Sequence, residues 1–132
     1  MILPLFKFKN FFNKKFKYNL HNKQRISFFY GNMKKYHLKK FVKLAVKKSK
    51  ISKKRAAILF IQHLETRLDV ILYKTHFSYS LESARQYISH KKVFVNGDTV
   101  QNSSYQLKKG DLITFDMTIY KYLNTNIISS KI

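Results

Sequence analysis

The chain has 132 residues, 27 of them Lys or Arg against 6 Asp or Glu, for a formal net charge of +21. It has no cysteine, which excludes disulfides and thiolate metal sites. No apolar run approaches the roughly 18 residues that a membrane-spanning helix needs.

The charge is unevenly distributed. Residues 1–64 hold 18 basic residues and no acid, whereas residues 65–132 hold nine basic and six acidic ones. The first half repels itself unless a polyanion neutralises it; the second can fold as an ordinary small domain. Aromatic residues make up 16% of the chain, mostly Phe and Tyr interleaved with Lys and Asn. That mixture suits nucleic acid, because rings stack on splayed bases while amines hold phosphates. The plainer alternative is a core of rings beneath a solvated lysine surface. Lys, Asn, Ile, Phe and Tyr are abundant, while the chain has only 3 Gly and 1 Pro. The abundant set uses AT-rich codons. An organelle genome is the expected source, with an AT-rich bacterium or a parasite as the alternative.

Residues 1–32 read as an extended basic tail. Met1 to Phe6 is too short an apolar block for a signal peptide. Phe and Lys then alternate loosely without a sustained period, and Lys23 and Arg25 are candidate RNA contacts. Tyr30-Gly31-Asn32 signals a turn. Residues 33–52 read as a basic helix, to about 48, and a linker. Tyr36, Phe41, Leu44 and Ala45 form a modest apolar stripe, with Lys39, Lys40 and Lys43 among the cations around it.

Residues 53–117 read as the folded module. A long helix or helix pair spans about 53–75, with Ile61, Leu64, Leu68, Ile71 and Leu72 as its core face. Ser52 is its expected N-cap, which puts Lys53, Lys54 and Arg55 in the first turn, where the helix dipole disfavours cations. A phosphate site there and simple solvation are both open. Ser78 or Ser80 can cap a helix over 80–91, whose Leu81, Ala84, Tyr87 and Ile88 share one face. Strands follow at 93–96, 98–101 and 112–116, joined by the hairpin signal Asn96-Gly97 and the turn Lys108-Lys109-Gly110-Asp111. Residues 118–132 read as a strand extension through Ile119-Tyr120-Lys121-Tyr122 and a tail.

Nothing here assembles an active site. The six acids are scattered, the five His are isolated, and no phosphate-binding glycine loop or nucleophile elbow occurs. Glu65 and Asp69 lie four apart on a helix, where they could form a carboxylate pair. The expectation is a non-enzyme without cofactor or metal.

One spaced set is more specific: Leu64-Glu65-Thr66-Arg67-Leu68-Asp69, Ala84-Arg85-Gln86, Ser89-His90, Val95-Asn96-Gly97, Ser104-Tyr105 and Gly110-Asp111. It resembles the RNA-binding module, or alpha-L motif, of the small-subunit ribosomal protein four family. Phe29-Tyr30-Gly31 ahead of a basic helix resembles the same family further upstream. The chain departs from the pattern at Leu81, where the family usually has Arg, and at Ser83, where it often has Glu. The resemblance implies an α+β fold, helices packed on a short antiparallel sheet. It implies that Glu65 and Asp69 orient Arg67 and its basic neighbours instead of forming a carboxylate pair. It implies a platform of Arg67, Ser78, Tyr79, Arg85, Gln86, Ser89, His90, Lys91 and Lys92 facing phosphates and sugar edges of an rRNA junction. It also implies a structural role in the 5′ domain of small-subunit rRNA, with neighbouring ribosomal proteins and mRNA close by and no membrane. The abbreviated length favours a mitochondrial ribosome over a plastid one. Two other carriers of the module are alternatives: a truncated RNA pseudouridine synthase, and a free-standing module acting on stalled large subunits.

Overall fold

The computed structural model describes residues 4–129, with side chains from 17 onward. It divides into two compact units, Met1–Lys39 and Lys40–Ile132.

The first unit is dominated by helix α1, Pro4–Phe29. This corrects the expected extended tail. No Gly or Pro interrupts the chain between Pro4 and Tyr30, and Pro suits the first helical position. Regular apolar spacing marks which face is buried, but backbone hydrogen bonding does not require it. The helix stops where Gly31 and Asn32 adopt φ of 67° and 54°. Ser27 Oγ donates to Met33 O at 2.6 Å and fastens the reversal.

Helix α2 (Lys35–Ser52) continues through the expected linker to Ser52. Ser52 is therefore its last residue, donating back to Lys48 O at 3.0 Å, and not the cap of the next helix. Lys53 takes φ 56° and Arg55 is the N-cap of α3 (Ala56–Glu65). The three cations thus precede α3 and avoid its unfavourable first turn. A break at Thr66–Arg67 separates α3 from α4 (Leu68–Lys74).

Helix α5 (Leu81–Ser89) follows a reciprocal cap. Ser80 Oγ accepts from Ser83 N at 3.1 Å, and Ser83 Oγ accepts from Ser80 N at 3.0 Å. Replacing Ser80 with Ala removes one arm of that box. A loss of about 1 kcal/mol is expected on thermal denaturation; an unchanged melting curve would show the cap to be idle.

Strands β1 (Val93–Val95), β2 (Asp98–Thr99) and β3 (Ile113–Phe115) form an antiparallel sheet in the order β2-β1-β3. Val93 pairs with Phe115 and Val95 with both Ile113 and Asp98. The β1–β2 turn has positive φ at Asn96 and Gly97, 53° and 90°, as the primed hairpin turn requires. The Asn96 side chain also reaches the two residues that lead into β3, giving a hydrogen to Asp111 Oδ1 at 3.0 Å and accepting from Leu112 N at 2.9 Å.

Leu68, Leu72, Ala84, Ile88, Val93 and Val95 form the core between α4, α5 and β1. Of the expected core face, Leu64, Leu68 and Leu72 are fully buried, but Ile61 is 55% exposed because α3 is cut off from the axis of α4.

The expected strand extension is also corrected. A 3₁₀ turn over Met117–Ile119 leads into helix α6 (Tyr120–Ser129). Alternation through Tyr120 and Tyr122 favours a strand locally, but a strand would bury Lys121 on the same face as Ile119 and Leu123, whereas a helix buries those two and leaves Lys121 exposed. Asn126 Nδ2 ties α6 to Phe77 O at 3.2 Å.

Candidate nucleic-acid interface

Helix α5 buries Leu81, Ala84 and Ile88 and leaves Gln86 and Ser89 exposed near its C-terminus. His90 is the C-cap, and Lys91 reverses the chain into β1 with φ 59°. A left-handed residue at this point is usually Gly. Here it is an exposed lysine, held by Lys91 N to Ile88 O at 3.1 Å. The exposed set Gln86, Ser89, His90 and Lys91 thus forms one polar edge at a helix end. Ser89 Oγ already donates to Gln86 O at 2.9 Å, so its oxygen is left chiefly as an acceptor. Tyr79, 84% exposed, stands just ahead of the other end of the helix.

Four of the expected contacts are placed differently. Arg67 is only 3% exposed. Its Nε and Nη2 donate to the two oxygens of Asp69, at 3.0 and 2.7 Å, and its Cζ lies 5.9 Å over the Phe41 ring. Arg85 Nε binds the same carboxylate at 2.9 Å. Asp69 is fully buried, so two guanidinium groups neutralise one desolvated charge. Arg67 is a structural group here and not a surface donor, and Arg85 is shared between the core and the surface. Asp69 binds Arg67, and Glu65 pairs with Lys74. Ser78 is 3% exposed, with no hydrogen-bond partner at Oγ among the described residues, so it does not belong to the exposed edge. Lys92 is half-buried, donating from Nζ to Asp116 Oδ2 at 2.7 Å and to Thr118 Oγ1 at 2.9 Å.

The remaining cations are exposed: Lys23 and Arg25 on α1, Lys39, Lys40 and Lys43 on α2, and Lys53, Lys54 and Arg55 ahead of α3. Sequence reasoning treated Lys108 and Lys109 as turn residues only. Both are exposed, and among the described residues neither forms a salt bridge. Their adjacency in a turn was the available signal. No group of three His, Asp or Glu stands together among the described residues.

The Lys92 contact has a titration consequence. The Lys92 ammonium, then the Thr118 hydroxyl, hold the Asp116 carboxyl below the usual carboxylate range. A carboxyl depressed in the folded state binds fewer protons than in the unfolded chain. Its stabilising effect is therefore present above the ordinary carboxylate pKa and lost as pH falls through the depressed value. In a carboxyl NMR titration, Lys92→Ala should move Asp116 upward, toward the ordinary value. An unmoved Asp116 would discard the pairing.

Residues 66–113 match the S4 domain family. The chain is 36% identical over 94 residues to the small ribosomal subunit protein uS4 of Aquifex aeolicus, covering 71% of this chain and 43% of that protein. It is also 36% identical over 104 residues to uS4 of Xanthomonas campestris pv. campestris, covering 79% and 48% respectively. The chain thus spans just under half the length of these relatives. It contains an S4 domain and is a relative of the uS4 proteins of the small ribosomal subunit.

Proposed function

We propose that the chain is a structural rRNA-binding protein of a small ribosomal subunit, organising the 5′ domain of the rRNA in a mitochondrial ribosome. The observation that carries this reading is the S4 domain at 66–113, which presents the Gln86–Lys91 edge, joined to a half-chain with 18 basic residues and no acid. Phosphate contacts position such a protein, and the folded shape of the RNA supplies the specificity. Lys23 and Arg25 on α1 and Lys39, Lys40 and Lys43 on α2 hold the RNA, Tyr79 stacks on an unpaired base, and neighbouring ribosomal proteins and mRNA lie nearby. The protein acts by binding and not by catalysis. The mitochondrial assignment is supported by the AT-biased residue usage.

Lys91 allows a test that separates binding from folding. Gly suits φ 59° better than Lys does, so Lys91→Gly should melt no lower than the parent chain. The same variant should bind small-subunit rRNA more weakly and reduce the salt slope by about one phosphate contact. Unchanged affinity would remove the α5 edge from the interface. In gradient sedimentation of a mitochondrial lysate, the chain should run in one-to-one proportion with small subunits. Co-migration with large subunits would favour the stalled-ribosome alternative.

A further inference from the structure

A cleft of about 740 Å³ lies between the C-terminal half of α2, helix α3 and the turn that precedes β3. None of the α5 residues discussed above lines it. Half-buried Leu44, Leu59 and Leu107 give it an apolar lining, and Ile51, 79% exposed, stands at its edge. Four exposed lysines also line it: Lys48, Lys54, Lys108 and Lys109. Among the described residues, none of the four is in a salt bridge.

The cleft is held open by a fixed wall. Gln106 Nε2 donates to His63 O at 3.1 Å, Thr66 Oγ1 donates to Gln106 Oε1 at 2.7 Å, and Leu107 N donates to Thr66 O at 2.9 Å. These bonds fasten the lysine-bearing turn to the end of α3. Burial, and then the like charge of Lys48, hold the His63 imidazole below its ordinary pKa.

We propose that this cleft docks an acidic amphipathic helix of a partner protein, its aliphatic side chains on Leu44, Leu59 and Leu107 and its carboxylates on the four lysines. The charge complement is acidic, and the apolar lining calls for aliphatic groups beside the acids. An unstacked nucleotide would match the lysines but not the lining. The one ring there, His63, is half-buried and packed edge-to-face on Phe41 with centroids 5.3 Å apart. Bases pulled out of a stack need an open ring or a guanidinium plane to lie on. The volume falls within the roughly 300–1,000 Å³ of ordinary ligand clefts, enough for more than an ion.

The probe is a fluorescein-labelled 14-residue helical peptide, with Leu three and four residues apart and Glu elsewhere. A second peptide has every Leu replaced by Ser. Both are titrated onto the full chain by fluorescence anisotropy. The Leu peptide should bind about tenfold or more tighter than the Ser peptide, from burial of one or more leucines. Ile51→Ser, and the pair Lys48→Glu with Lys108→Glu, should each lower that affinity by about fivefold or more at unchanged melting temperature, since all three positions are exposed. Equal binding of the two peptides would overturn the proposal, reducing it to attraction toward a chain of charge +21. Equal weakening of decauridine binding by Ile51→Ser would overturn it too, and would assign the cleft to RNA. Because rRNA binding through Lys91 is measured separately, failure here leaves the ribosomal reading standing.

Discussion

Raising salt from 50 to 200 mM should weaken binding of the chain to small-subunit rRNA by about a thousandfold or more. The 18 basic residues of positions 1–64 have no acid among them, so they have no competing partner within that stretch. Each phosphate they neutralise releases counterions, and the release is less favourable as bulk salt rises. If six to ten of the 18 touch phosphate, the duplex-DNA scale puts the loss at about 10³–10⁵ over this range. Titration of a 5′-domain rRNA fragment at four salt concentrations gives the slope directly. A nearly flat response would mean that the cations are solvated surface and that affinity comes from stacking or shape alone.

Asp69→Ala should be the most damaging single change in the S4 domain. The carboxylate is fully buried and carries Arg67 on both oxygens and Arg85 on one. Removing it takes from the buried Arg67 the carboxylate to which its Nε and Nη2 both donate, and breaking a buried pair from one side costs about 3–5 kcal/mol. For a unit of this size that corresponds to a fall of roughly 12 °C or more in melting temperature. Arg85→Ala should cost distinctly less, because Asp69 keeps Arg67 and the Arg85 side chain is partly solvated. Thermal denaturation of the three chains orders them. If Asp69→Ala melts within a degree or two of the parent, the triad is not holding α4 to α5. If Arg85→Ala is the worst, the roles of the two arginines are reversed.

What could be read along the chain was local. The Leu81/Ala84/Ile88 spacing, the Asn96-Gly97 turn and the strand composition of Val93–Val95 each need only neighbouring residues to specify them. They placed α5, the β1–β2 hairpin and the exposed Lys91 that follows α5. Ala84-Arg85-Gln86, Ser89-His90 and Val95-Asn96-Gly97, half of the set that identifies the module, sit in that stretch and were legible for the same reason. Length and charge likewise showed where a polyanion is needed. The α1 helix escaped because a helix can form without a buried face, and apolar spacing then carries no trace of it. Helix α6 escaped because Tyr120 to Tyr122 alternates like a strand, while the burial of Ile119 and Leu123 is known only once the core exists. The arginines mark the limit most clearly. Arg67 and Arg85 look alike in sequence, as donors near a basic surface. Only the fold brings Asp69 within reach of Arg85, 16 residues away, and covers Arg67 with the Phe41 ring and the bridge to Gln106. Periodicity and turn chemistry are properties of neighbours in the chain. Whether a charge is buried, and which partner then offsets its desolvation, depends on residues that meet only after folding, and that decided which arginine faces the solvent.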